Sequence, residues 1–341
     1  MPIRDYLHNR TTKRKCRLNG ILPSKRMPRK AKLQQHFFDH MLFSGPQLPR
    51  KVNLRHQMTP VEDQSNIGSC VANSFAGAYE YLLKKTSGCH IDVSRLFIYY
   101  NARVKDEESD DNIDDSGCTV TSAIEALEEF GTCLESIWPY YTKRVNKCPS
   151  DAAFEEAENN KIVDALQINI NLDEMKSCLA QGFPFVFGLE LYKSFDKADE
   201  KGIVPMPKSR ETKRESHGSH AMLAVGYNDR AKSFIVRNSW GDDWGRQGYC
   251  YIPYDYMTDS EFCFDPWIVR KLETDDMGHE HWDDEDDDVE DEGEDDDEDE
   301  EDEDEDEDEE DEDEEEEDDD DCDIEQEDNE DEDEDEEDED E

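Results

Sequence analysis

The chain has 341 residues, with 37 Lys and Arg against 94 Asp and Glu, a formal net charge of −57. Of those acids, 56 lie in residues 275–341, a stretch without Lys or Arg, which leaves 38 acids against 37 bases in the first 274 residues. The acidity therefore belongs to a tail, which excludes a uniformly acidic, halophile-type fold and excludes disorder of the whole chain. About 40% of the first 274 residues are apolar, an ordinary globular fraction, and their number suits one domain of about 220 residues, with or without two lobes.

Residues 1–55 hold 14 Lys and Arg and only two acids, Asp5 and Asp39. Residues 1–47 read as a basic arm, either unstructured or a short pro-segment. Arg4, Asp5 and His8 interrupt any apolar run at the start, so a secretory signal is not expected. No stretch of 18 apolar residues occurs, so no membrane span is expected. An intracellular protein, cytoplasmic or nuclear, is the resulting expectation. The clusters Lys13-Arg14-Lys15 and Lys25-Arg26 to Lys30 fit a solvated arm as well as an import or nucleic-acid patch. Ten cysteines without a CxxC pair disfavour a zinc ribbon. Free thiols, no metal and no cofactor are expected.

From Cys70, apolar residues at Val71, Phe75, Ala78, Tyr79 and Leu82 predict a helix that stops at Gly88. Ser94 is placed to cap a second helix through Leu96–Tyr100. Residues 105–117 read as an acidic loop, 120–130 as a helix ending at Gly131, and 151–158 as a short exposed helix. The period then changes. Ile162–Ile170 suggests strand, Met175–Leu179 a short helix and Phe183–Phe187 a buried strand. Residues 201–218 form a polar loop. His220–Tyr227 and Ser233–Arg237 predict neighbouring strands about the Asn228-Asp229 turn, and Tyr249–Ile252 one more. Helices first and strands second indicate an α+β fold with segregated layers.

Cys70 lies where a Gly/Ser/Asn loop meets a helix. The positive end of the helix dipole and the unpaired N–H groups there favour thiolate, the nucleophilic form. The bland alternative is an inert buried cysteine. Gln64 lies six residues upstream in the same loop and could lend an amide donor. His220 opens one strand and Asn238 closes the next, so pairing of those strands brings them close. An imidazole held by an amide keeps one tautomer and orientation, as a Cys–His pair needs. Taken alone, His220 reads equally as a satisfied core histidine.

Together, three segments resemble the papain-like (cathepsin-type, peptidase C1) cysteine proteases. They are Gln64-Ser-Asn-Ile-Gly-Ser-Cys70, Ser219-His220-Ala221 through Gly226-Tyr227, and Arg237-Asn238-Ser-Trp240-Gly241 through Trp244-Gly245 to Gly248-Tyr249. Glu129-Phe-Gly131 through Trp138-Pro139-Tyr140 matches the helix end and aromatic turn between them. The resemblance covers roughly residues 48–270. His220 and Asn238 follow Cys70 by 150 and 168 residues, at and beyond the long end of the roughly 130–150 usual in that family.

The resemblance implies a two-lobed fold, with a helical first lobe and an antiparallel, β-barrel-like second lobe, over residues 48–272. It implies a cysteine-type endopeptidase with Cys70 as nucleophile, His220 as general base and then acid, and Asn238 orienting His220. Gln64 and the Cys70 N–H would form the oxyanion hole. Gly117, Ser219, Ala221 and Trp240 would lie on the substrate side. Gly117 would pair with substrate backbone, Ser219 and Ala221 would flank the pocket for the residue two before the cut, and Trp240 would shield the His–Asn bond. A polypeptide is the implied substrate, and a monomer the expected state. Two departures stand out: Val71 replaces the family's usual Trp after the nucleophile, and Ile67 stands where secreted members carry a disulfide cysteine.

Residues 275–341 read as a disordered acidic tail. Such a tail repels nucleic acid and suits basic protein partners, or the basic arm of the same chain. His279 and His281 in that tail read as incidental rather than as metal ligands. Two other functions fit the same motifs: a catalytically idle papain-like binding module, and an isopeptidase using the same Cys–His–Asn site.

Overall fold

The structure, a computed structural model, describes residues 6–8, 13–107, 113–213 and 216–271. The expected acidic tail, with His279 and His281, lies outside the described residues.

The chain opens with short strands: β1 (Tyr6–His8) and β2 (Lys15–Arg17), paired antiparallel, then β3 (Ile21–Leu22), β4 (Gln35–His36) and β5 (Lys51–Asn53). Helix α1 (Cys70–Ser87) follows. Its residues Cys70–Leu83 are all buried, because α1 packs against the sheet on one side and against α2 (Arg95–Glu107) and α3 (Val120–Glu129) on another. Gly88 ends α1 in the left-handed conformation that glycine adopts without strain. The Ser94 hydroxyl accepts from Phe97 N–H at 3.2 Å, the expected cap of α2. Between α2 and α3 lies β6 (Cys118–Thr119), and α4 (Asp151–Ala157) follows α3.

A helix buried all round must satisfy its polar side chains internally. Glu80, in the middle of α1, accepts from Thr59 Oγ1 at 2.5 Å and from Val93 N–H at 3.1 Å. Arg237 donates to the carbonyls of Thr59 and Pro60. These contacts tie the loop before α1 to the strand that ends at Arg237, next to Asn238.

The second half contributes β7 (Asp164–Gln167), α5 (Leu172–Ala180), β8 (Phe185–Leu191), β9 (Gly218–Asn228), β10 (Ser233–Arg237), β11 (Tyr249–Pro253) and β12 (Cys263–Arg270). They form an eight-stranded sheet in the order β11-β10-β9-β8-β12-β7-β4, with β5 paired to the far half of β9. The fold is α+β as expected, but the sheet does not close into a barrel. β11 and β4 end it as separate edges, and β4 joins β7 in parallel. β12 completes the sheet between β8 and β7, in a segment for which no strand was expected.

The basic arm differs most from expectation. Residues 13–47 are folded onto the rest of the chain. Leu18, Leu33 and Phe37 are fully buried and Ile21 nearly so. The arm's cations meet acids of α3: Arg26 pairs with Glu125 at 2.7 Å, and Lys30 and Lys32 with Glu128 at 2.5 and 2.8 Å. Apolar residues spaced among the Lys and Arg give the segment enough surface to bury, which net charge alone hides.

Candidate active site

Cys70 is the first residue of α1, at the end of a loop that many contacts hold in place. Asp115 accepts from Gly68 N–H at 2.9 Å and from Tyr99 Oη at 2.6 Å. Tyr99 Oη in turn accepts from Gly117 N–H at 3.0 Å. Ser69 Oγ and Tyr140 Oη lie 2.5 Å apart. Thus Tyr99 and Asp115, neither legible as site residues from local pattern, fix the loop before Cys70 to the loop at Gly117.

His220 lies in β9 and Asn238 just past β10, strands paired in the expected antiparallel sense. His220 Nε2–H donates to Asn238 Oδ1 at 2.8 Å, and the same oxygen accepts from Ser239 N–H at 2.8 Å. His220 Nδ1 is buried with no hydrogen-bond partner among the described residues. Trp240 stacks on the imidazole at 4.6 Å between centroids, and Trp244 meets Trp240 edge-on at 5.0 Å. The two Trp-Gly turns thus place an aromatic roof over the His–Asn hydrogen bond. The backbone N–H of Ala221, the residue after His220, hydrogen-bonds to the Cys70 sulfur. That contact brings the thiol beside the histidine strand.

Gln64 is fully buried. Its Oε1 accepts from Ser239 Oγ at 2.6 Å, which aims Nε2 at the carbonyls of Ile67 (3.1 Å) and Arg17 (3.3 Å). The Arg17 carbonyl belongs to the arm. Residues 13–22 form a strap along the cleft. Arg14 pairs with Asp63 and Asp243. Asn19 N–H donates to the Ser219 carbonyl at 2.8 Å, and Asn19 Oδ1 accepts from Ser219 N–H at 3.0 Å. The Gly20 carbonyl accepts from Cys118 N–H at 3.1 Å, and β3 pairs in parallel with β6. Gly20 lies against the nucleophile: a Cβ there would lie 2.5 Å from the Gly68 carbonyl oxygen and 2.9 Å from Cys70 Sγ.

The strap changes the electrostatics expected at Cys70. Burial pushes the thiol up to about 12, against smaller favourable contributions from the N–H groups of Ala221, Val71 and Cys70 itself. Burial pushes the His220 imidazole down to about 4, against the hydrogen bond to Asn238. Both groups are therefore neutral in this form. The thiolate expected from the helix terminus is not the state here, because desolvation outweighs the dipole when water is excluded.

The remaining expected residues lie along the same cleft. Gly117, at φ +80°, abuts Gly20: a Cβ on it would lie 2.8 Å from the Gly20 carbonyl oxygen. Ser219 Oγ donates to the Ile21 carbonyl at 3.3 Å. Ala221 pairs with Gly188, where a Cβ would meet Ile21 Cδ1 at 2.8 Å and the Phe264 ring at 2.5 Å. A small apolar recess beside Ala221 is thus filled by Ile21.

The chain matches the papain family cysteine protease over residues 48–262. It belongs to that family. An uncharacterised peptidase C1-like protein of Acanthamoeba polyphaga mimivirus is 37% identical over 234 residues, covering 65% of this chain and 73% of the viral protein. Cysteine proteinase 3 of Entamoeba histolytica is 26% identical over 215 residues, covering 61% of this chain and 63% of that protein. Among solved structures, xylellain, a cysteine protease from Xylella fastidiosa, superposes with a TM-score of 0.63 at 31% identity, over 76% of this chain and 98% of that one. In this papain-family cysteine protease, Val71 is fully buried against the core, where the family usually has Trp. All nine cysteines among the described residues are free thiols. No group of three or more His, Cys, Asp or Glu among the described residues could hold a metal ion, and no described helix is long and apolar enough to cross a membrane.

Proposed function

We propose that this papain-family chain is an endopeptidase acting through Cys70 and His220, and that the form described here is its latent state. The observation that carries the reading is the His220–Asn238 pair under Trp240. Its unpartnered Nδ1 lies on the strand whose next N–H reaches the Cys70 sulfur. A core histidine has no need of a buried ring nitrogen left without a partner, whereas a proton acceptor for a thiol does.

When a substrate replaces the strap, His220 Nδ1 takes the Cys70 proton. The thiolate adds to a peptide carbonyl carbon, and the carbonyl electrons move to oxygen. That oxyanion lies against Gln64 Nε2–H and the Cys70 N–H, donors of the kind that each contribute about 3–4 kcal/mol to transition-state stabilisation. The tetrahedral species collapses, His220 gives its proton to the leaving amine, and a thioester remains. A water, deprotonated by His220, adds to the thioester. Collapse releases the acid and returns the proton to Cys70. Asn238 holds the imidazole in the tautomer that this sequence needs. The Arg17 carbonyl, which now accepts from Gln64 Nε2, occupies the donor that a substrate oxyanion would use.

The test is covalent labelling by a thiol-directed epoxide, with hydrolysis of a peptide library measured in parallel. Gly20→Ala protein, in which the strap cannot lie on the thiol, should label at Cys70 faster than at its other nine cysteines. Cys70→Ala and His220→Ala should abolish both that labelling and hydrolysis. Equal labelling of all thiols would sink the proposal.

A further inference from the structure

We infer that Asp63 and Asp243 form a cation-binding subsite on the leaving-group side of the cleft, which accepts an Arg or Lys side chain of a polypeptide substrate. The inference rests on the peptidase reading above and extends it to a substrate class. In the closed form the subsite is already filled by a guanidinium: Arg14 donates Nη1 to Asp63 Oδ2 at 2.6 Å and Nη2 to Asp243 Oδ2. One fork of donors spans two carboxylates from segments 180 residues apart, an arrangement that suits the planar guanidinium group.

The Asp63 carboxylate is placed by the backbone as well as by Arg14. Asp63 Oδ1 accepts from Ser65 N–H at 2.7 Å, which turns Oδ2 outward. Asp63 pairs with Trp240 in an isolated antiparallel bridge, and Gly241 N–H donates to the Glu62 carbonyl at 3.1 Å. Gly241, at φ +84°, makes the turn that brings Asp243 back: a Cβ on it would lie 3.0 Å from Asp243 Oδ1 and 3.9 Å from Asp63 Cβ. Of the neighbouring charges, Glu62 is neutralised by Arg95 at 2.7 Å. Departure of the strap therefore leaves two partly exposed carboxylates facing one another without their cation.

Their position in the cleft assigns the role. Residues 21–22 pair with 118–119 at one end, Gly20 lies at Cys70, the Arg17 carbonyl lies at Gln64, and Arg14 lies beyond Trp240. His220, which protonates the leaving amine, is stacked on Trp240, so the leaving segment of a substrate runs toward the acidic pair. From the carbonyl held by Gln64 to Arg14 is three residues, or about 10 Å of extended chain. A basic side chain two or three residues past the cut reaches the same place.

The experiment is competition for Cys70 in full-length protein, wild type and Gly20→Ala, labelled with a small epoxide. Matched peptides carry Arg, norleucine or Glu at the second and third residues past the cut. The Arg peptide should protect Cys70 at about three- to tenfold lower concentration than the norleucine peptide, with the Glu peptide weaker still, as two partly exposed ion pairs would give. Asp63→Asn with Asp243→Asn should bring the Arg and norleucine peptides within twofold of each other. The same double variant should speed labelling without peptide, since the strap loses its anchor. Equal protection by the Arg and norleucine peptides in both backgrounds overturns the subsite. Hydrolysis of the norleucine peptide is followed separately: no turnover with the Arg preference intact removes the peptidase reading and leaves the subsite standing. In the Gly20→Ala background, labelling of Cys70 no faster than of the other thiols overturns both.

Discussion

At Gly20 a single hydrogen in place of a side chain lets the strap lie on the thiol. A methyl group would fall 2.5 Å from the Gly68 carbonyl oxygen and 2.9 Å from Cys70 Sγ, and the first of these is backbone that cannot rotate away. Gly20→Ala should therefore dislodge the strap and raise the rate of Cys70 alkylation in full-length protein by about tenfold or more, the equivalent of about 1.4 kcal/mol. An unchanged rate would mean that the strap is not what closes the cleft. Gln64, Cys70, His220 and Asn238 were legible in the sequence because each stands inside a run of characteristic neighbours. Gly20, Asn19 and Arg14 were not, because they lie in a basic segment without periodicity and act through contacts with residues 48 to 229 positions away. Asp63 directly precedes the Gln64 motif, but its partner Asp243 becomes meaningful only once Gly241 turns the chain back.

At the level of elements, the helices α1, α2 and α3 and the strands β9, β10 and β11 follow the apolar periods that predict them. The strands β3, β4 and β6 are two residues each, too short to show any period. Yet Phe37, just past β4, is fully buried, and its burial makes the arm part of the domain. Phe37→Ala should lower unfolding stability by about 3–5 kcal/mol in denaturant melts. A loss below 1 kcal/mol would mean that the arm docks without supporting the fold. The pairing of β3 with β6 should also depend on pH. The closed form holds His220 at about 4, below its ordinary 6.5. As pH falls through that window, the opened form binds a proton that the closed form cannot, so closure weakens. Cys70 is held at about 12, above its ordinary 9.0, so closure weakens again as pH rises through that window. Hydrogen exchange at the amides of Asn19 and Cys118, corrected for intrinsic rates, should be slowest between about pH 6.5 and 9. A monotonic profile would contradict this.

At the level of the molecule, the net charge of −57 divides into a nearly neutral first 274 residues and a tail of 56 acids. The strap is anchored at its N-terminal end by partly exposed ion pairs, which salt screens over about 10 Å at 0.1 M. Raising ionic strength should therefore speed Cys70 labelling. Removing residues 275–341, which takes away 56 acids, should change the slope of that dependence through charge alone. Identical salt profiles for the full and shortened chains would exclude a role for the tail at the cleft.

The sequence by itself determined the α+β class and the order of the long elements, and it pointed to four residues of the candidate site. These are carried by local period and by side chains whose chemistry is specific at fixed spacing. The tertiary structure alone decided that the basic arm is folded and that it lies over the thiol in this form. Both outcomes depend on burial and on contacts between distant segments. Desolvation reverses the charge state that a helix terminus and an imidazole would otherwise give to Cys70.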